Sequence, residues 1–363
     1  MKVTVITPKF AFSGVPLAQI RLAQSLQRKG FIVDLIIGNI PNENDLPDLS
    51  NIKVHNLKAC KVRYMLIKLM THLIKSKPDV VFSAEDHLNL VVIFAHLLTR
   101  SKSKLSCSSR VTPYDTFSKR IFSKRWFLKN LYFIFQNRAN VLSCVSKDMV
   151  LQYKEIFRNS RHQTIYNIID PNLSSDLIEE PLTDKNFTNT NETKLIAAGT
   201  LAEWKGFDLL IEAISIIPEN FKFKLFILGD GPEKAKLQNL IKLYSLNDTV
   251  FLLGNVKNTL KYFKASDIFV LSSRVEGMPN VLIEAMMCGC TPVSFDCKTG
   301  PREILTSNEY GYLAEPNSVE SLSNAIVQAL EKRIALDKLN ERVSLFSEDA
   351  VLNKHFSLLD IDI

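Results

Sequence analysis

The sequence predicts an α/β protein made of two doubly wound domains that face one another across a ligand cleft. Three observations carry that prediction. The chain has 363 residues, and division by roughly 150 residues per domain gives about 2.4. Buried-strand runs alternate with helix-sized segments twice over, the pattern of parallel sheets covered on both faces. Between the two series, residues 171–193 are rich in Pro, Asn, Ser, Thr, Asp and Glu, the composition of a linker. The expected boundaries are 1–172 and 173–345, followed by a final segment 346–363.

In order, Val3-Thr4-Val5-Ile6 is a buried-strand run, and after a loop through Ser13-Gly14 the segment Leu17 to Lys29 has apolar residues at helical spacing. Gly30 ends that helix. Phe31 to Ile37, Val80 to Ser83 and Asn140 to Ser146 are the next strands, each separated by helix-sized segments. Alternation stops near Ile168 and restarts with Lys194 to Gly199, a helix near Phe207 to Ile217, the strand Phe223 to Gly229 and a helix from about Pro232 to Tyr244. Strands at Val250 to Gly254, Ile268 to Ser272 and Pro292 to Phe295 complete the second series. Open α/β sheets bind ligands at the carboxyl ends of their strands, so the active site is expected there.

Composition narrows the class. Apolar residues make up 46% and charged residues 23%, enough apolar surface for real cores and no sign of bulk disorder. The first ten residues alternate like a strand and lack the features of a signal peptide. No apolar run approaches the ~18–20 residues of a membrane span, and the expectation is a cytoplasmic chain. Six cysteines at irregular spacings read as buried thiols, with no metal at Cys288-Gly289-Cys290. Asp360-Ile361-Asp362 has a metal-binding spacing but sits at a fraying terminus, so it is set aside.

Charge is divided unequally. Residues 1–172 hold 26 Lys and Arg against 11 Asp and Glu, a net of +15, whereas residues 173–363 hold 19 against 27, a net of −8. The first half therefore suits an anionic partner. Residues 51–78 carry seven Lys or Arg and no acid. Residues 117–138 add Lys119, Arg120, Lys124, Arg125, Lys129 and Arg138 among Phe117, Phe122, Trp126, Phe127, Tyr132, Phe133 and Phe135. Basic and aromatic residues on helices suit an anionic membrane face, and equally an amphipathic helix buried on protein. No recognised nucleic-acid module is present, which argues against that partner.

The chemistry concentrates in Ser273 to Gly289, reading SRVEGMPNVLIEAMMCG. A strand runs into a loop, Pro279 suits the first turn of a helix, and Gly289 ends it. The helix N-terminus favours an anion such as phosphate. Glu276 lies in the loop and Glu284 about five residues into the helix, roughly 7.5 Å along its axis, so the two carboxylates can hold two ends of one ligand. Gly229-Asp230-Gly231-Pro232 lacks the third glycine of the dinucleotide fingerprint, and no P-loop is present.

The E-x7-E pair within EGMPNVLIEAM closely resembles the signature of the family-4 retaining glycosyltransferases, whose GT-B fold sets two Rossmann-like domains face to face. Ser13-Gly14, Tyr166-Asn167-Ile168-Ile169-Asp170, Gly199-Thr200-Leu201 through Trp204-Lys205-Gly206, Leu228 to Pro232, Val250 to Gly254 and Thr299 to Glu303 resemble further family motifs, in order. The resemblance implies a sugar nucleotide, UDP-linked, held by the second domain, an acceptor held by the first, and a final segment that returns to the first domain. It makes Glu284 a partner of the ribose hydroxyls, Glu276 of the donor sugar and Lys205 of the diphosphate. Gly277, Met278, Pro279, Asn280 and Val281 would line the sugar and phosphate pocket with Thr200 and Gly254, and Gly14 would admit the diphosphate to the first domain. No metal or other cofactor is implied.

Two departures stand out. Thr200 occupies the place where the family usually has Arg, for which Arg302 or Arg274 could substitute. The first-domain histidine is missing, and Arg110, in Cys107-Ser108-Ser109-Arg110, is the candidate to replace it; His87 is a weaker one. The wording looks most like bacterial members that build surface polysaccharides, lipopolysaccharide and capsule included, on a polyprenyl-diphosphate carrier, peripheral on the inner face of the cytoplasmic membrane. The alternatives are a sugar-nucleotide epimerase, a small-acceptor transferase, or a donor-binding subunit with weak catalysis.

Overall fold

In a computed structural model, which describes all residues except 12–13, 48, 50, 170–174, 307 and 363, the chain divides into two compact units. Unit 1 comprises Met1–Ile168 and Glu348–Ile363, and unit 2 comprises Ile169–Ser347. Ser13 of the glycine loop and Asp170, Pro171 and Asn172 near the linker lie outside the described residues.

Unit 1 is built on a parallel sheet of β1 (Lys2–Thr7), β2 (Ile32–Ile37), β3 (Lys53–Asn56), β4 (Val80–Ala84), β5 (Lys104–Ser109), β6 (Val141–Cys144) and β7 (Gln163–Thr164), in the order β3-β2-β1-β4-β5-β6-β7. Every residue of β4 is buried, as helices on both faces require. On one face Ile6, Ile36 and Val81 pack against Leu69 and Leu73 of the helix Leu66–Ser76 and Leu88 and Val92 of the helix Asp86–Thr99. Each such side chain, fully buried, stabilises the fold by roughly 1.5–3 kcal/mol.

The last helix, Glu348–Leu358, belongs to this unit. Phe356 stacks on Phe31 with ring centroids 5.2 Å apart, Glu348 pairs with Arg28 at 2.8 Å, and Lys104 donates to the Asp360 carbonyl at 2.9 Å.

Unit 2 repeats the plan with β8 (Thr193–Ala198), β9 (Phe223–Leu228), β10 (Val250–Gly254), β11 (Ile268–Leu271), β12 (Thr291–Phe295) and β13 (Tyr312–Ala314), in the order β10-β9-β8-β11-β12-β13. Leu195, Ala197, Leu225, Ile227, Val270 and Val293 point to one face and pack with Leu210, Ile211, Leu322 and Ile326 from covering helices. In both sheets strand order reverses beside the first strand of the unit, between β1 and β4 and between β8 and β11. Crevices at such reversals are where doubly wound sheets take ligands. No described helix is long and apolar enough to cross a membrane.

Two local expectations are corrected. Pro279 sits at the N-cap rather than in the first turn, because its ψ of 88° is not helical and the helix begins at Asn280. Five cysteines are buried, but Cys60, in the loop after β3, is exposed.

Candidate functional site

The reversal in unit 2 brings together two loops that are far apart in sequence. After β8 the chain runs Gly199 to Lys205, makes a short turn at Glu203–Lys205, and enters the helix Phe207–Ser215 through Gly206. Gly206 has φ +63°, and a Cβ there would lie 2.0 Å from the Ser272 carbonyl oxygen, so only glycine lets the two loops touch. Ser272 Oγ donates to the Lys205 carbonyl at 2.9 Å and the Arg274 amide to the Trp204 carbonyl at 2.8 Å. Lys205 Nζ therefore reaches Glu276 Oε1 at 2.6 Å, the two side chains being 20% and 12% exposed. An ion pair at that depth is costly to desolvate and strongly responsive to an arriving charge.

The loop that carries Glu276 is braced from β12. Thr299 Oγ1 donates to the Glu276 carbonyl, and a Cβ on Gly300, whose φ is +92°, would meet Pro279 Cδ at 2.6 Å and the Gly277 carbonyl oxygen at 2.9 Å. Gly277 is half-buried and Met278 and Pro279 are buried. Asn280 and Val281 begin the helix Asn280–Met287, and Glu284 is its fifth residue, half-buried. Thr200 is exposed, and Gly254 ends β10 with open space where a Cβ would stand.

Neither substitute for the missing arginine is at liberty. Arg274 forks onto Asp208 at 3.0 and 2.9 Å and also donates to the Glu203 carbonyl, while Arg302 forks onto Asp296, Nε lying 3.1 Å from Oδ1. Burial works to raise the Asp208 carboxyl, but its hydrogen bonds and charge contact with Arg274 outweigh that and hold it below its usual range. Arg274 thus fixes the loop geometry, and the Lys205 ammonium is the cation nearest to Glu276 among the described ion pairs. Cys288 and Cys290, at and beyond the C-cap of the same helix, point their sulfurs at backbone carbonyls of residues 260–266, and burial pushes both thiols up, Cys288 to about 12.

In unit 1, Gly14 opens the helix Gly14–Arg28, is exposed, and has nothing within 4 Å of a Cβ position. Arg110 follows β5, and its Nε and Nη1 are buried with no hydrogen-bond partner among the described residues. Burial pulls its guanidinium down to about 10, against the opposing charge of Glu85. Glu85 itself has φ +80°, a strained conformation for a residue with a Cβ, and its carboxylate lies 3.2 Å from the exposed His87 ring.

Sequence reasoning missed the buried group bonded to Ser109. Asp86, 3% exposed, accepts from Ser109 Oγ at 2.5 Å and from the Tyr153 hydroxyl, and His162 lies 3.4 Å from both Ser109 and Tyr132. Burial pushes the Asp86 carboxyl up to about 6 in spite of those bonds. The only signal was an aspartate two residues past a strand buried along its whole length.

The basic, aromatic segment forms the helix Lys124–Phe135, capped by Ser123, whose Oγ accepts from the Trp126 amide at 3.1 Å. Tyr132 is buried, but Ile121, Phe122, Phe127, Leu131, Phe133 and Ile134 are exposed, Phe122 to 80%.

Residues 179–345 match the family described as Glycosyl transferases group 1. Over 326 residues the chain is 31% identical to an uncharacterized glycosyltransferase of Methanocaldococcus jannaschii, covering 83% of this chain and 78% of that one. It is 28% identical over 291 residues to the N-acetylgalactosamine-N,N'-diacetylbacillosaminyl-diphospho-undecaprenol 4-alpha-N-acetylgalactosaminyltransferase of Campylobacter jejuni, covering 78% and 75%. Among solved structures, Anabaena HepE in complex with UDP superposes with a TM-score of 0.79 over 99% of this chain and 100% of that one, at 18% identity. That last likeness bears on the fold, two parallel-sheet Rossmann-like domains of GT-B type.

Proposed function

The chain belongs to the group 1 glycosyl transferases, and from that premise we propose that it is a family-4 enzyme that moves a hexose or N-acetylhexosamine, with retention, from a UDP-sugar to a growing surface polysaccharide on a polyprenyl diphosphate. The observation that carries this reading is the meeting of Lys205 and Glu276 at the strand-order reversal of unit 2. When the glycosidic bond breaks, negative charge grows on the departing diphosphate oxygen, and stabilising that charge is the main catalytic task. In this reading the diphosphate takes the Lys205 ammonium, Glu276 is released to the hydroxyls of the donor sugar, and Glu284 binds the ribose. The amides of Gly277, Met278 and Asn280 and the start of the helix Asn280–Met287 supply further positive potential. Thr200, Gly254 and Val281 border the nucleotide, and Pro279 shapes the turn without donating.

The acceptor hydroxyl attacks the anomeric carbon on the face that the diphosphate leaves. The new C–O bond forms as the C–O bond to phosphate breaks, and the proton passes to the leaving phosphate oxygen, so no protein nucleophile is assigned. The reaction in this form requires no cofactor. Gly14 and the unpartnered guanidinium atoms of Arg110 are assigned to anionic groups in unit 1. The lipid-linked acceptor is supported by the name of the Campylobacter relative and by the exposed basic and aromatic helix Lys124–Phe135, which suits attachment to the cytoplasmic face of an anionic membrane.

Thermal-shift measurements with UDP, GDP, ADP and their sugar conjugates test the donor site, since a ligand of the folded state raises its stability by mass action. UDP is expected to stand out and Glu284→Ala to abolish its effect; no shift with any nucleotide overturns the donor assignment. A second reading, a donor-binding subunit without turnover, draws on Thr200 and on the commitment of Arg274 and Arg302 to carboxylates. UDP binding without transfer to any lipid-linked acceptor distinguishes it.

A further inference from the structure

Away from the donor site, unit 1 buries polar groups where its pattern calls for apolar ones. Thr4 of β1 and Asp34 of β2 are paired in register on the face that otherwise carries Ile6 and Ile36, and they are 0% and 4% exposed. His55 of β3, in register with Ile36, and His72 of the covering helix Leu66–Ser76 turn to the same spot. His55 Nε2 lies 3.1 Å from Asp34 Oδ1 and His72 Nε2 lies 3.8 Å from Asp34 Oδ2. The two rings meet edge to face with centroids 5.4 Å apart.

We propose that Asp34, His55 and His72 form a binding site for a divalent first-row transition metal of the zinc type. Two imidazoles and one carboxylate are the donor set such ions prefer, and three protein ligands with a water complete a four-coordinate site. The three ligand atoms already lie within 4.8 Å of one another. Bonds of ~2.0–2.1 Å set ligand atoms ~3.3 Å apart in a tetrahedron, so small side-chain adjustments close the site.

An outer shell is also in place. Ser76 Oγ donates to Asp34 Oδ2 at 2.8 Å, holding the carboxylate in one orientation as hydrogen bonds behind metal ligands do. Lys2 Nζ, 3.6 Å from the same oxygen on a side chain 36% exposed, is the cation that a metal displaces. The Thr4 hydroxyl, 3.0 Å from His72 Nε2, yields that nitrogen to the ion. The 30% exposure of the His55 side chain provides the entry path.

The ion would tie β2, β3 and the helix Leu66–Ser76 together, through the third residue of β2, the third of the four residues of β3 and the middle of the helix. Its task is architectural: it locks the helix whose other side exposes Ile67 and Ile74 within the basic stretch.

The test is titration of chelator-treated, full-length protein with Co2+, read by the visible absorption of four-coordinate cobalt, followed by displacement with Zn2+. One equivalent per chain is expected. Asp34→Asn disturbs a buried position and can unfold the strand pair, so the partly exposed His55→Gln carries the decision, with folding checked by circular dichroism. His55→Gln and His72→Gln are each expected to lose the band, and Ser76→Ala to weaken binding by ~10–100-fold. A folded wild-type protein that takes up no Co2+, or an unchanged band in the doubly substituted His55→Gln, His72→Gln protein, overturns the proposal and leaves an ordinary buried Asp–His cluster.

Discussion

Replacing His355 by Gln probes how the last helix is held on unit 1. The ring is 4% exposed, lies edge-on to Phe82 with centroids 5.1 Å apart, and sets Nδ1 3.4 Å from the Ser106 hydroxyl. Burial, aided by the charge of Arg110, pulls its pKa from 6.5 down to about 3. Over that interval the unfolded chain binds a proton that the folded chain refuses, so stability falls as the pH drops below the unfolded value. At a pH of about 4.5 the deficit spans about two units, on the order of 3 kcal/mol. His72 and His162, pulled down by burial to about 4 and about 3, act with the same sign, and Asp86, pushed up to about 6, acts with the opposite one. The difference between wild type and His355→Gln isolates the single ring. Urea unfolding at neutral pH and near pH 4.5 measures it: the wild type should lose on the order of 3 kcal/mol more than the variant across that range. Equal losses in the two proteins would show that the ring titrates normally and is not sealed in the core.

Lys205→Met should lower transfer to a lipid-linked acceptor by about 10²–10³-fold, the usual effect of removing one charge-stabilising group, in a kcat assay with UDP-sugar. An unaltered kcat would take Lys205 out of the chemistry. Gly206→Ala should destabilise unit 2 by roughly 1–3 kcal/mol, since the left-handed φ and the clash with the Ser272 carbonyl act together; chemical denaturation followed by Trp204 fluorescence in a Trp126→Phe background reads the change. Phe122→Ser should reduce partitioning onto anionic vesicles by about tenfold, the effect of losing one large ring from the apolar side, and undiminished sedimentation with vesicles would reassign that surface.

Much of this was legible in the sequence because the central strands are apolar on both sides. Val3 to Ile6, Val80 to Ser83 and Ile268 to Leu271 read as strands for that reason. β3 did not, since three of the four residues of Lys-Val-His-Asn at a sheet edge are polar, and the short β7 and β13 lack a run long enough to register. The candidate donor loops were visible as spacing, Glu276 and Glu284 falling on one loop-helix unit. The pairing of Lys205 with Glu276 was not, because 71 residues separate them and only the sheet order brings them together. The same holds for Asp34, His55 and His72, which come from three elements. Arg274 and Arg302 looked available in the sequence, and only their forks onto Asp208 and Asp296 show otherwise.

The return of Glu348–Leu358 to unit 1 also sets a timetable for biosynthesis. Unit 1 lacks its last helix until unit 2 has been made, about 180 residues later. At ~5–20 residues per second, translation leaves the surface of Phe31 and Phe82 uncovered for roughly 9–36 s. During that interval the nascent first half, with its high positive charge, has all seven strands of its sheet but leaves an apolar face open. A ribosome-bound chaperone would find its client there, and deleting Glu348–Leu358 would damage unit 1 rather than unit 2, which precedes that helix in the chain.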